Sequence, residues 1–164
     1  MKRIARGGIA AVAAVGIAGG IVAGTASGSS SAERYYDVTV ENLTSGQPLS
    51  PPLIAEHNRH ADVWSVGDIA NHAVAAIAED ADNAPAISVL DKVRGVGVVQ
   101  TGVDEGASGP APIGPGASQT YRIKAEPWQR VTLLSMLVNT NDGFTGLDSV
   151  RLGTKRTIVM ARAY

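Results

Sequence analysis

The most constraining stretch of this chain is Leu133 to Leu152, entered through an apolar run from Val131 to Val138. The run is short enough for a strand and apolar on both faces, which predicts a strand covered on two sides in the centre of a sandwich. Asn139, Asn141, Asp142 and Gly143 follow and form the densest turn signal in the sequence. Asn, Asp and Gly tolerate the positive φ angles of a tight turn, and their side chains can bond nearby backbone N–H groups. Apolar residues then return at Phe144, Leu147, Val150 and Leu152. A buried strand therefore delivers an oxygen-rich loop, and the chain re-enters the core behind it.

Upstream, Tyr36 to Asn42 alternates cleanly. Tyr36, Val38 and Val40 share one face and Asp37, Thr39 and Glu41 the other, the period of a half-buried strand. Thr44 to Pro52 reads as a loop, and Leu53 to Val66 shows no clear period. A helix is expected from Asp68, as N-cap, to Glu79, with Ile69, Ala73, Ala76 and Ile77 on its buried stripe and Asn83 to Pro85 as its stop. Ile87 to Leu90 predicts a further short helical turn. Val93 to Thr101 predicts a strand in which Gly95 and Gly97 mark a bulge or close packing. Residues 102–118 read as a long loop. Strands are then expected at Gln119–Ala125, with Tyr121 and Ile123 inward, at Val131–Val138, and at Thr157–Ala163. The fold class is mainly β, an antiparallel Greek-key β-sandwich with one or two short helical insertions.

The N-terminus predicts export. Met1 to Arg6 is basic, residues 7–28 carry no charge, and small residues suit cleavage after Ala26 or Ala32. Residues 1–32 are thus read as a signal peptide with a Ser-rich tether, and residues 33–164 as one domain. The expected location is secreted, periplasmic or cell-surface. The apolar run is also about long enough to span a bilayer, so an uncleaved N-terminal anchor is the alternative, and the only membrane contact expected. Lys2, Arg3 and Arg6 belong to this leader. The rest of the chain sets 11 cations against 15 carboxylates, a balance near −4 that argues against nucleic acid as a partner. No cysteine is present, which removes disulfides, thiolate metal sites and cysteine nucleophiles.

Three segments carry a family resemblance. Ser-Met-Leu-Val-Asn-Thr-Asn-Asp-Gly-Phe-Thr-Gly-Leu-Asp-Ser, Ser135 to Ser149, resembles the signature of the spondin domain in the short form of bacterial secreted proteins. Tyr36 to Pro52 resembles that family's first strand and following loop, and Ala73 to Pro85 its helical segment. The resemblance spans about residues 35–164. It implies a sandwich similar to calcium-dependent lipid-binding domains, with loops gathered at one end, and a role in adhesion or ligand capture outside cells. Asp142 falls on the acidic turn residue that binds calcium in animal members. Its partner ligands there come from an acidic loop after the last strand, about where this chain ends at Tyr164, so the expectation is either that this member lacks the loop or that the domain is truncated. Animal members also carry disulfides; this chain, without cysteine, fits the bacterial form.

Catalysis needs a nucleophile, base or metal in fixed geometry. His57 and His60 in His-Asn-Arg-His lack a helical context or a spaced third ligand and are expected as exposed loop residues. His72 is expected at the surface of the helix. No nucleophile elbow or phosphate-binding loop occurs, and Glu79, Asp80 and Asp82 read as a solvated helix end. The chain is therefore expected not to be an enzyme. Asn139, Asn141, Asp142 and Asp148 offer the hard oxygens calcium prefers, although the spacing is not that of an EF-hand: Phe144 stands where its glycine belongs. The simpler reading of the same residues is turn chemistry alone, and it is the resemblance that points to a metal. Asp142 is the expected metal ligand and Ca²⁺ the expected cofactor. The function expected is a secreted or cell-surface non-catalytic binding or adhesion module of the spondin type, its partner an extracellular or envelope protein or glycan. The alternatives are a secreted metal-dependent hydrolase or a structural envelope protein.

Overall fold

A computed structural model describes residues 33–164, apart from the side chain of Val98. They lie within one compact unit, Ser31–Tyr164. The expected signal peptide and tether, residues 1–32, fall outside the described residues. The elements are β1 (Arg34–Glu41), β2 (Leu53–His57), α1 (His72–Asp80), α2 (Ala84–Leu90), β3 (Val96–Thr101), β4 (Ser118–Ala125), β5 (Arg130–Met136) and β6 (Phe144–Arg151). All pairings are antiparallel, in a two-stranded sheet β1-β4 and a four-stranded sheet β3-β2-β5-β6. After β3 the chain crosses to the other sheet as β4 and returns as β5 beside β2, a Greek-key return. The mainly-β sandwich is what the strand pattern predicts.

Two hydrophobic cores explain why β5 is apolar on both faces. Val131 and Leu133 pack with Tyr121, Ile123 and Ile54 between the two sheets. Leu134 points the other way, with Leu53, Val74, Ile77 and Leu90, into a second core under the helices. The two short helices, inserted between β2 and β3 as expected, thus add a third layer. Burying each such side chain contributes about 1.5–3 kcal/mol relative to leaving it in water.

The helix differs from expectation in its start and its stop. Asn71, not Asp68, is the N-cap: its side-chain oxygen accepts from Ala73 N and Val74 N, both at 3.0 Å. Starting there puts Val74, Ile77 and Ala78 on the buried stripe. Ile69, expected on that stripe, precedes the helix and is 97% exposed. Asp68 sits in a turn, its N–H bonded to Ser65 O at 3.2 Å. Helix α1 ends in an αL cap closed by Ala81 at φ 56°, with Ala81 N on Ile77 O, and Asp82 N reaches back to Ala76 O. Pro85, expected to stop α1, instead occupies the first turn of α2, where its missing N–H costs nothing.

Close packing at the β3 glycines is as expected. A Cβ at Gly97 would overlap the Glu56 carboxylate, and one at Gly95 the Asn58 carboxamide. The expected strand at Thr157–Ala163 does not form. One bridge joins Ala163 to Thr145, and Tyr164 exchanges both backbone bonds with Phe144. Beyond it, Ser149 at φ 54° lies where the β5–β6 register slips, and such a bulge bends an edge strand away from further pairing.

Candidate binding pocket

A concave site of the domain is built by a segment that is nearly silent in the sequence, residues 58–71 between β2 and α1. Asn58 starts it, its Oδ1 accepting from His60 N (2.8 Å) and Ala61 N (3.1 Å). This local turn reverses the chain and drives Ala61, Val63 and Trp64 under the surface. Trp64 lies over β6 because position 146 is glycine: a Cβ there would stand 3.1 Å from Trp64 Cζ2 and overlap the Leu133 carbonyl oxygen.

Three aromatic rings meet at this point. Trp64 contacts Phe144 edge-on at 5.4 Å between centroids and 81° between planes, and Tyr164 at 5.5 Å and 68°. Phe144 and Tyr164 lie 5.6 Å apart. Such pairs contribute about 0.5–1.5 kcal/mol each beyond the area they bury. They border a cavity of about 310 Å³, near the lower limit for small-molecule sites. Val63 and Val74 extend its apolar floor, and residues 65–71 form its wall, with Ile69 in solvent at the lip. The polar lining is Asp62, Ser65, Asp68 and Asn71, and among the described residues no lysine, arginine or histidine joins it. Ser65 Oγ lies 3.1 Å from Asp148 Oδ2, which brings a third carboxylate to the flank. Trp64 is only 7% exposed, and its buried indole Nε1 has no acceptor among the described residues. An unmet buried donor costs about 1–3 kcal/mol.

The residues singled out from sequence are placed elsewhere. Asp142 stands exposed in the β5–β6 turn. The turn itself is held by Thr140, whose Oγ1 donates to Leu137 O (2.7 Å) and accepts from Gly143 N (2.9 Å), while Leu137 N bonds Gly143 O (2.8 Å). Asn139 uses its amide on Gly46 O at 3.2 Å. Asp148 is not brought to Asp142: five residues of chain, most of them extended along β6, lie between them, and Asp148 is engaged at the pocket. Among the described residues no group of three or more His, Asp or Glu is placed to hold a metal ion. Calcium takes six to eight oxygens, and among the described residues this turn brings one carboxylate, that of Asp142.

His57, expected in an exposed loop, is instead fully buried as the last residue of β2. Nδ1 meets Asn58 O at 2.8 Å and Nε2 meets Thr132 Oγ1 at 2.9 Å. A carbonyl can only accept, so Nδ1 carries the hydrogen in this arrangement. Both ring nitrogens are thus occupied in the sheet interior. His60 is exposed beside Arg59, and His72 opens α1 at the surface. The three histidines serve three separate places. Sequence reasoning missed Trp64 and Tyr164 as site residues; the visible clue was the Val63-Trp64 pair, apolar within a polar stretch. No protein-family model matches the chain, and no curated protein matches it.

Proposed function

We propose that this protein is a non-catalytic binding module, secreted or held at the cell surface by its N-terminal segment, whose ligand seats in the Trp64 pocket. The observation that carries the proposal is the aromatic-floored cavity with carboxylates at its rim and, among the described residues, no basic group in its lining. Such a lining repels anionic ligands. It suits a neutral or cationic group with an apolar face, and an acceptor able to reach Trp64 Nε1 gains a full hydrogen bond. The separation of the histidines and the burial of His57 support a role without catalysis. The resemblance to spondin domains supports the same class, adhesion or capture outside the cell. The test is an NMR titration that follows the Trp64 indole N–H against neutral methyl glycosides, butylamine and butyrate. Shifts with a neutral or cationic probe, lost in Phe144→Ala, support the pocket; a response to butyrate alone would refute it.

A further inference from the structure

The strand register gathers cations that are scattered through the sequence. Arg34 pairs with Ala125, His57 with both Arg130 and Val96, and Arg130 with Arg151. Asn58 N bonds Gly95 O at 2.7 Å, which places Arg59 and Arg94 on the same side. One end of the sandwich therefore carries Arg34, Arg59, Arg94, Lys124, Arg130 and Arg151. Lys155 and Arg156 follow exposed within five residues of Arg151. Glu33, Asp91 and Glu126 are exposed carboxylates at this end, with Glu33 paired to Lys124, and Asp62 and Asp148, three residues from Arg59 and Arg151, add two more toward the pocket side. The opposite end is acidic. Glu41 closes β1, Asp142 sits in the β5–β6 turn, and Glu79, Asp80 and Asp82 stand where Asn83 Nδ2 reaches Pro51 O and Thr101 Oγ1.

Aromatic side chains project from the basic end. Trp128, in the β4–β5 turn, is 56% exposed, and Tyr35, at the start of β1, is 70% exposed. Trp128 holds φ 78°, a conformation disfavoured for a bulky side chain, and its N–H is pinned to Leu152 O at 3.2 Å. The Arg151 guanidinium lies 4.6 Å from its ring centroid. A bulky ring kept in solvent on a fixed turn, beside cations, fits the headgroup layer of a membrane. There Trp and Tyr seat their amphipathic rings, and anionic lipids attract Lys and Arg. Strand β1 begins at this same end, at Arg34.

We propose that the basic end, tipped by Trp128 and Tyr35, docks the domain on an anionic lipid surface, with the pocket and the acidic end left to other partners. The charge polarity orients the approach, basic end first. This surface is separate from the Trp64 pocket, so either proposal can fail alone.

The Ser31–Tyr164 unit contains both cores and is tested without the leader. It is expected to float with phosphatidylcholine vesicles containing phosphatidylglycerol, to leave phosphatidylcholine alone, and to be released by salt. Brominated lipid quenches the tryptophan emission, and Trp128→Asn, which tolerates the left-handed backbone, removes the quenching. Lys155→Glu with Arg156→Glu, both outside the strands, weakens binding about 25-fold or more, at about fivefold per charge lost, with an unchanged circular dichroism spectrum. Equal binding to both vesicles, or none to the anionic one, overturns the proposal. Charge-dependent binding with tryptophan unquenched also overturns it, and marks a surface for soluble polyanions instead.

Discussion

Replacing Gly146 with alanine strikes the point where the pocket and the central sheet depend on one missing atom. The new Cβ would overlap the Leu133 carbonyl oxygen and stand 3.1 Å from Trp64 Cζ2. Leu133 belongs to β5, which is paired on both sides, so its carbonyl cannot yield without parting β5 from β6. Overpacking of this kind costs about 1–3 kcal/mol, and a backbone obstacle places it near the upper figure. For a domain of this size 3 kcal/mol lowers Tm by about 10 °C. Urea unfolding of the Ser31–Tyr164 unit, followed by far-ultraviolet dichroism and tryptophan emission, measures it, with an unchanged m-value as the sign of a pure stability effect. Gly114→Ala is the control, since nothing lies within 4 Å of a Cβ there; it should stay within about 0.5 kcal/mol of wild type. A Gly146→Ala loss no larger than the control's would refute the packing argument.

Burial, and behind it the negative charge of Asp104, push the Tyr121 phenol up to about 12 from its ordinary 10.0. Its proton is then held more tightly in the folded state, so this stabilisation is complete below about pH 10 and is lost as pH rises through about 12. Tyrosinate absorbance should show one late-titrating phenol, absent in Tyr121→Phe, whose stability should fall less between those limits. Asn42 is buried and gives Nδ2 to Gln47 O (2.8 Å) and Ile113 O (2.9 Å), while Oδ1 accepts from Thr44 N and Oγ1. Asn42→Ala orphans these groups and should cost about 2–3 kcal/mol in urea unfolding. Calcium should leave the unfolding midpoint unchanged against chelator; a rise that disappears in Asp142→Ala would show that the turn completes a metal site after all.

Period-two alternation in β1 and the doubly apolar run of β5 were legible because local pattern and tertiary burial agree there. The helix start was not, because Asp68 and Asn71 are equally good caps in isolation. Only the packing of Val74, Ile77 and Ala78 under the sheet decides between them. His57 was misread for a related reason: β2 is five residues long, and nothing local says that His57 will find Thr132, 75 residues away, as its partner. Thr157–Ala163 has the composition of a strand, yet a bulge at Ser149, invisible in the sequence, turns the β6 edge that it would need. Asp142 was correctly placed in a turn. Its carboxylate companions were a matter of three-dimensional distance, and Asp148 went to the pocket instead. The basic end was concealed by the overall charge near −4, since register rather than sequence order brings Arg34, Arg59, Arg130 and Arg151 together.

The most direct measurement is the Trp64 indole N–H resonance of the Ser31–Tyr164 unit, titrated with methyl glycosides, butylamine and butyrate. A binding pocket predicts a saturable shift with a neutral or cationic probe and none with butyrate, and Phe144→Ala should abolish it while Trp128→Asn leaves it intact. An indole signal that no neutral or cationic probe moves, in a protein shown to be folded, would contradict the claim that this cavity is where the ligand binds.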